Sequence, residues 1–154
     1  MGKYWLIQRG RRFFFLLACL FFALPAIGCW ATKKDTEKLD EVKAIWSRLP
    51  IYPGMREVNS KTESGFGKAF VSKSFQSAAP YNEVKGFYIE HLRQEGWQVT
   101  SDRKLKDWGG DPERHYIEFH RREIFLSIEY VVPSSGYNWQ YAIAIHWSRW
   151  DQRK

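Results

Sequence analysis

The chain has 154 residues, a formal net charge of +7 and an aromatic content of 18%. That length fits one domain plus a terminal segment and excludes two substantial domains. Four of the 24 basic residues precede Cys29 and all 17 acidic residues follow it, which leaves the rest of the chain at only +3. Such a mixed surface lacks the concentrated basic face that nucleic-acid binding requires.

The first segment carries the clearest signal. Lys3, Arg9, Arg11 and Arg12 precede a charge-free run of 19 residues, Phe13 to Ala31. A helix of that length crosses a bilayer. The basic cluster predicts that its N-terminal end stays in the cytoplasm. Residues 1–31 therefore read as a transmembrane anchor or a lipoprotein signal region, and residues 32–154 as an extracytoplasmic domain. The run Ala26-Ile27-Gly28-Cys29 resembles the bacterial lipobox, with Ala26 in place of the usual leucine. That resemblance implies cleavage before Cys29 and lipid attachment to it. Leu16-Leu17-Ala18-Cys19 matches more closely, but it leaves six apolar residues before the cysteine, shorter than a signal core needs. Arg11-Arg12-Phe13-Phe14-Phe15 resembles a twin-arginine signal. A cleaved, fully secreted form is a third reading. Both cysteines lie in or beside this segment, so the rest must be stabilised by packing alone.

Residues 32–49 predict a helix, with Thr32 as cap, Asp35 in the capping-box position and a stripe of Leu39, Val42, Trp46 and Leu49 beside Ile45. Pro53-Gly54 marks a turn. Met55–Ser60 predicts a short strand, punctuated by Thr62-Glu63-Ser64-Gly65. A second strand is expected over Phe66–Phe75, with Phe66 and Phe70 on one face and Ala69, Val71 and Phe75 on the other. Residues 80–95 give the strongest helix pattern: Pro80 at the first position, Val84, Phe87, Tyr88, His91 and Leu92 on one stripe, and Gly96 as cap with Trp97 folding back.

The remainder predicts antiparallel sheet. Trp97, Val99 and Ser101 alternate with Gln98 and Thr100. His115, Ile117 and Phe119 alternate with Tyr116, Glu118 and His120. A tight turn at Arg121-Arg122-Glu123 leads to Ile124, Leu126, Ile128 and Tyr130 against Phe125, Ser127, Glu129 and Val131. A last strand spans Tyr137–Trp147, its odd residues large and its even residues including Ala142 and Ala144. The order α-β-β-α-β-β-β-β predicts an α+β fold: an antiparallel sheet of four to six strands covered on one face by one or two helices.

Catalytic signals are weak. His115 and His120 fall on opposite faces of one strand, whereas Glu118 and His120 share a face that His146 can join. His91 sits on an apolar helix stripe and reads as a hydrogen-bonded boundary residue. Ser134-Ser135-Gly136 lacks a nucleophile elbow. Gly65-Phe66-Gly67 lacks the rest of a phosphate loop. Asp107, Asp111 and Glu113 lack calcium-loop spacing. The sequence thus points to no catalytic residue, cofactor or metal ligand.

Contact signals are better. Trp108, beside Gly109-Gly110, suits either a partner anchor or a plug at one end of the core. Tyr116, Phe125 and Val131 fall opposite the helix-covered face and predict an apolar docking surface. Arg114, Arg121 and Arg122 suggest a basic patch for an acidic protein or lipid headgroups. The chain resembles small envelope lipoproteins and single-pass proteins carrying one α+β domain. The expected role is a membrane-tethered interaction domain, an accessory subunit of a bacterial envelope complex. An immunity protein masking a toxin, an envelope hydrolase and a small-ligand-binding lipoprotein are the alternatives.

Overall fold

The computed structural model describes residues 31–105, 114–133 and 136–151. Eight elements succeed one another: α1 (Lys33–Trp46), β1 (Arg56–Gly65), β2 (Lys68–Gln76), α2 (Tyr81–Gln94), β3 (Gln98–Leu105), β4 (Arg114–Arg121), β5 (Ile124–Val131) and β6 (Tyr141–Ser148). The strands form one six-stranded antiparallel sheet in the order β1-β2-β6-β5-β4-β3. The α+β class and element order are those expected. Cys29 and the charge-free run as far as Trp30 lie outside the described residues. Among those described, no helix is long and apolar enough to cross a membrane.

Each helix is specified locally and fixed by burial. Thr32 caps α1 in a reciprocal capping box with Asp35. Val42, Ile45 and Leu49 from this segment are buried, with Leu39 and Trp46 packed partly against them. In α2 the buried stripe is Tyr81, Val84, Tyr88 and Leu92. Pro80 occupies the cap position rather than the first helical turn. Gly96, at φ +82°, ends the helix and lets the Trp97 N–H donate back to the Leu92 carbonyl at 3.0 Å.

One sheet face meets both helices. Ala69, Val71 and Phe75 of β2 join Tyr141, Ile143, Ile145 and Trp147 of β6, Ile124, Leu126 and Ile128 of β5, and Ile117 and Phe119 of β4 in a single buried cluster with the helix stripes. The period-two alternation of β4, β5 and β6 thus sorts side chains as expected, except at the end of β5, where Val131 is buried and Tyr130 half-buried.

Four strand predictions need correction. β1 does not stop near Ser60 but runs through Thr62-Glu63-Ser64 to Gly65. It is an exposed edge strand, so its pairing to β2, not apolar alternation, holds it. Phe66 is not in a strand: it occupies the β1–β2 turn at φ +52°, between Gly65 and Gly67. Val99, expected on one face with Trp97, is 46% exposed on the other edge strand whereas Trp97 is buried before that strand begins, and the register shifts before Ser101. The final strand is also shorter, beginning at Tyr141.

The register places several turns together. Lys68 opposes Ser148, and His146 opposes Phe125. The β1–β2 turn, the β4–β5 turn and Arg149–Asp151 therefore share one end of the sheet. The start of α1 joins them: Asp35 lies 4.0 Å from the Arg149 guanidinium, and a Cβ on Gly65 would lie 4.0 Å from the Ala31 Cα.

Candidate functional site

The sheet face opposite the helices holds the candidate site. Its organisation comes from register. Phe70, His146, Phe125 and His120 are successive cross-strand partners on β2, β6, β5 and β4. They make a row of alternating phenyl and imidazole rings. His120 stacks on Phe125 with centroids 4.6 Å apart, and Phe125 stacks on His146 at 5.3 Å. The next row is Ser72, Ala144, Ser127 and Glu118, followed by Ser74, Ala142, Glu129 and Tyr116. Five of these side chains are no larger than a hydroxymethyl group. They floor a trough between the ring row and the Tyr116–Glu129 side.

Polar groups on this face are already engaged. The Tyr116 hydroxyl donates to Glu118 Oε2 at 2.8 Å, and the Thr100 hydroxyl donates to Glu118 Oε1 at 3.1 Å. Burial pushes the Tyr116 hydroxyl up to about 12, and its bond to the Glu118 carboxylate adds to the shift. Arg114 pairs with Glu129 at 3.0 Å, and the Arg103 guanidinium lies 5.4 Å from the Tyr116 ring centroid.

His146 is held below its ordinary value. Burial lowers it from 6.5; Asp151, 3.8 Å away, and Glu118 oppose that shift, and Lys68 reinforces it. Burial thus favours the neutral ring beside Phe125.

Glu118, His120 and His146 do share a face. They do not converge, because Phe125 stands between the two imidazoles and Glu118 is held by Tyr116 and Thr100. Among the described residues no group of three His, Cys, Asp or Glu side chains gathers to hold a metal. His91 is a boundary residue whose Nδ1–H donates to the Phe87 carbonyl at 2.8 Å. An open depression of about 610 Å³ lies toward the other end of the sheet, lined by Gly54, Arg56, Gln76, Ser77, Ala78, Pro133 and Gln140. That lining is not the apolar helix–sheet pocket a lipid-like ligand would need.

The predicted contact residues divide. Tyr116 and Phe125 lie on the uncovered face, as expected. Val131 does not contribute, because it is fully buried and stands outside the core cluster. The three-arginine patch is not formed: Arg114 and Arg121 begin and end β4. Arg121 donates to the Glu95 carbonyl at 3.0 Å and stacks 4.6 Å over Trp97. Arg122 is exposed at the β4–β5 turn, at φ +57°. Trp108 lies outside the described residues. Phe70, Ser72 and Ser127 complete the site but carry no individual sequence signal; Ala142 and Ala144 are the visible trace of the trough. The chain matches no known protein family, no characterised protein and no solved structure.

Proposed function

We propose that this chain is a membrane-tethered protein-interaction domain, an accessory subunit of a bacterial envelope complex. Residues 1–31 hold it in the membrane, as an uncleaved span or through lipid on Cys29, and residues 32–154 work on the extracytoplasmic side. The observation that carries the reading is the sheet face that no other described element covers. Its stacked ring row and small-residue trough form a continuous, partly apolar surface that neither helix packs against. Aromatic side chains standing beside a shallow floor suit an inserted side chain or strand from another protein. Tethering confines the search for that protein to one surface and raises its effective concentration. The engaged polar groups and the separation of Glu118, His120 and His146 favour this reading over a hydrolase.

The test uses the full chain in its membrane. A photo-crosslinking residue at position 127, in the trough, should join one recurrent membrane-complex subunit. The same residue at position 40, on the exposed side of α1, should not. Phe125→Arg should abolish the adduct. Equal crosslinking from both positions would reject the face as the contact surface. A recurrent toxin domain as the adduct would replace the accessory reading with immunity. Intact mass of the extracted protein separates the tethers: loss of residues 1–28 plus an acyl mass marks lipidated Cys29, and an unprocessed N-terminus marks the span.

A further inference from the structure

Only two non-glycine residues among those described adopt positive φ, Phe66 at +52° and Arg122 at +57°. Each sits at a hairpin tip, and both tips lie at the same end of the sheet. A side chain in this backbone region is uncommon outside Asn, Asp and Gly, so the choice of Phe and Arg calls for a reason. Phe66 is 72% exposed and makes no use of its ring within the domain core. Trp150, just beyond β6 at the same end, is 53% exposed.

Charge at this end follows the same pattern. Lys34, Lys68, Arg122 and Arg149 are exposed around the two aromatics. Lys34 rests over the Trp147 ring, 5.4 Å from its centroid, and its charge also acts on the Glu123 carboxylate. Of the nearby acids, Asp35 is fully buried and faces Arg149 at 4.0 Å, Glu37 pairs with Lys33 at 3.8 Å, Glu123 pairs with Lys38 at 2.9 Å, and Asp151 lies 3.8 Å from His146. Ala31, where the thirty residues before it join the domain, lies beside Gly65 at this same end.

We propose that this end of the domain seats on an anionic lipid surface, with Phe66 and Trp150 entering the headgroup region and Lys34, Lys68 and Arg122 meeting lipid phosphates. Aromatic rings prefer the bilayer interface, and lysine and arginine near an anionic surface are drawn to it. Phe66, at a tip with φ +52°, enters without unfolding anything, since it supports no core contact. The inference rests on the tether reading above and goes beyond it. A chain tethered at residue 31 needs only a linker; a seated end fixes the domain's orientation. The strands then run away from the bilayer, and the ring row and trough face sideways along the membrane, toward a neighbouring protein.

The experiment places p-benzoyl-phenylalanine at position 66 of the full chain. A second preparation carries it at position 138, exposed toward the opposite end. Both are reconstituted in vesicles of phosphatidylcholine with about one third phosphatidylglycerol, and in phosphatidylcholine alone. Irradiation of position 66 should yield phospholipid adducts, in at least about fivefold excess over position 138. Arg122→Glu with Lys68→Glu should cut that yield about as much in anionic vesicles and little in neutral ones. Far-ultraviolet circular dichroism checks that the variant keeps its fold. Flotation with the vesicles reports the tether independently. A chain that floats but gives equal adducts from both positions overturns the seating and leaves the tether standing. A chain that fails to float overturns both. Protein adducts at position 66 without lipid adducts assign this end to a protein partner and overturn the proposal.

Discussion

Thr32 and Asp35 hold each other at the start of α1: the Thr32 N–H donates to Asp35 Oδ2 at 2.9 Å, and the Asp35 N–H donates to the Thr32 hydroxyl at 3.2 Å. Asp35 is fully buried, and the pair ties the helix start to the β1–β2 turn and to Arg149. Thr32→Ala should cost about 1 kcal/mol, an ordinary cap loss. Asp35→Ala should cost more, because it also leaves Arg149 without its carboxylate and opens a buried site. Urea unfolding of the full chain in mild detergent, followed by tryptophan emission, measures both; equal losses would show that burial of Asp35 adds nothing.

The same carboxylate makes the fold acid-sensitive. Burial alone would raise its pKa; the Thr32 and Gly67 backbone N–H groups, the Thr32 hydroxyl and the Arg149 guanidinium together outweigh burial and hold it below 3.8. A carboxyl depressed in the folded state contributes stability above its unfolded value and loses it as pH falls through the folded one. Stability should therefore drop below about pH 4. Asp35→Asn should flatten that part of the profile while lowering the neutral-pH plateau.

His146 should add a second pH dependence in a different window. Its folded pKa lies below 6.5, chiefly because burial penalises the imidazolium. The unfolded chain then takes up the proton first, so stability is full above 6.5 and declines as pH falls toward the folded value. His146→Gln removes this slope. Proton resonance titration of the ring would read the depression directly; a midpoint at or above 6.5 would contradict it.

Where side chains report their own burial, the sequence was readable. The stripes of α1 and α2, the Thr32–Asp35 cap and the alternation of β4 and β5 each follow from spacing within a single element. What escaped depends on pairing between elements. The polar run Lys61–Ser64 looks like a loop, because an exposed edge strand buries neither face; β2 alone makes it a strand. Charges such as Glu57, Lys61 and Glu63 there guard that edge against further pairing. Phe66 looks like a strand residue by composition and is placed in a turn by the glycines on either side. The ring row needs β6 inserted between β2 and β5, a non-local choice that brings residues 70, 146, 125 and 120 into line.

Phe66 separates backbone strain from function. Phe66→Asn keeps a residue tolerant of φ +52° and should change stability by no more than about 0.5 kcal/mol. Phe66→Val forces a β-branched side chain into the same geometry and should cost about 1–2 kcal/mol. Denaturation midpoints of the two variants decide it: a large loss with Asn would mean that the ring, not the backbone, stabilises the tip.

Phe119 and Phe125 offer the sharpest test of the two sheet faces, because they lie on neighbouring strands with opposite orientations. Phe119 is buried in the core cluster, whereas Phe125 stacks between two imidazoles on the uncovered face. Phe119→Ala should cost about 3–5 kcal/mol, the loss of transfer energy plus a cavity. Phe125→Ala opens no enclosed cavity and should cost about 1 kcal/mol, in the range of a cross-strand aromatic pair. Partner capture should show the reverse ranking once stability is accounted for. At a temperature where both variants are folded, Phe125→Ala should lose the position-127 crosslink and Phe119→Ala should retain it. If Phe125→Ala is as destabilising as Phe119→Ala, the ring row belongs to the domain's own packing. If it is mild and leaves the crosslink intact, the row is surface without a role in contact. Only a mild stability loss together with a lost crosslink fits a face kept uncovered for a partner.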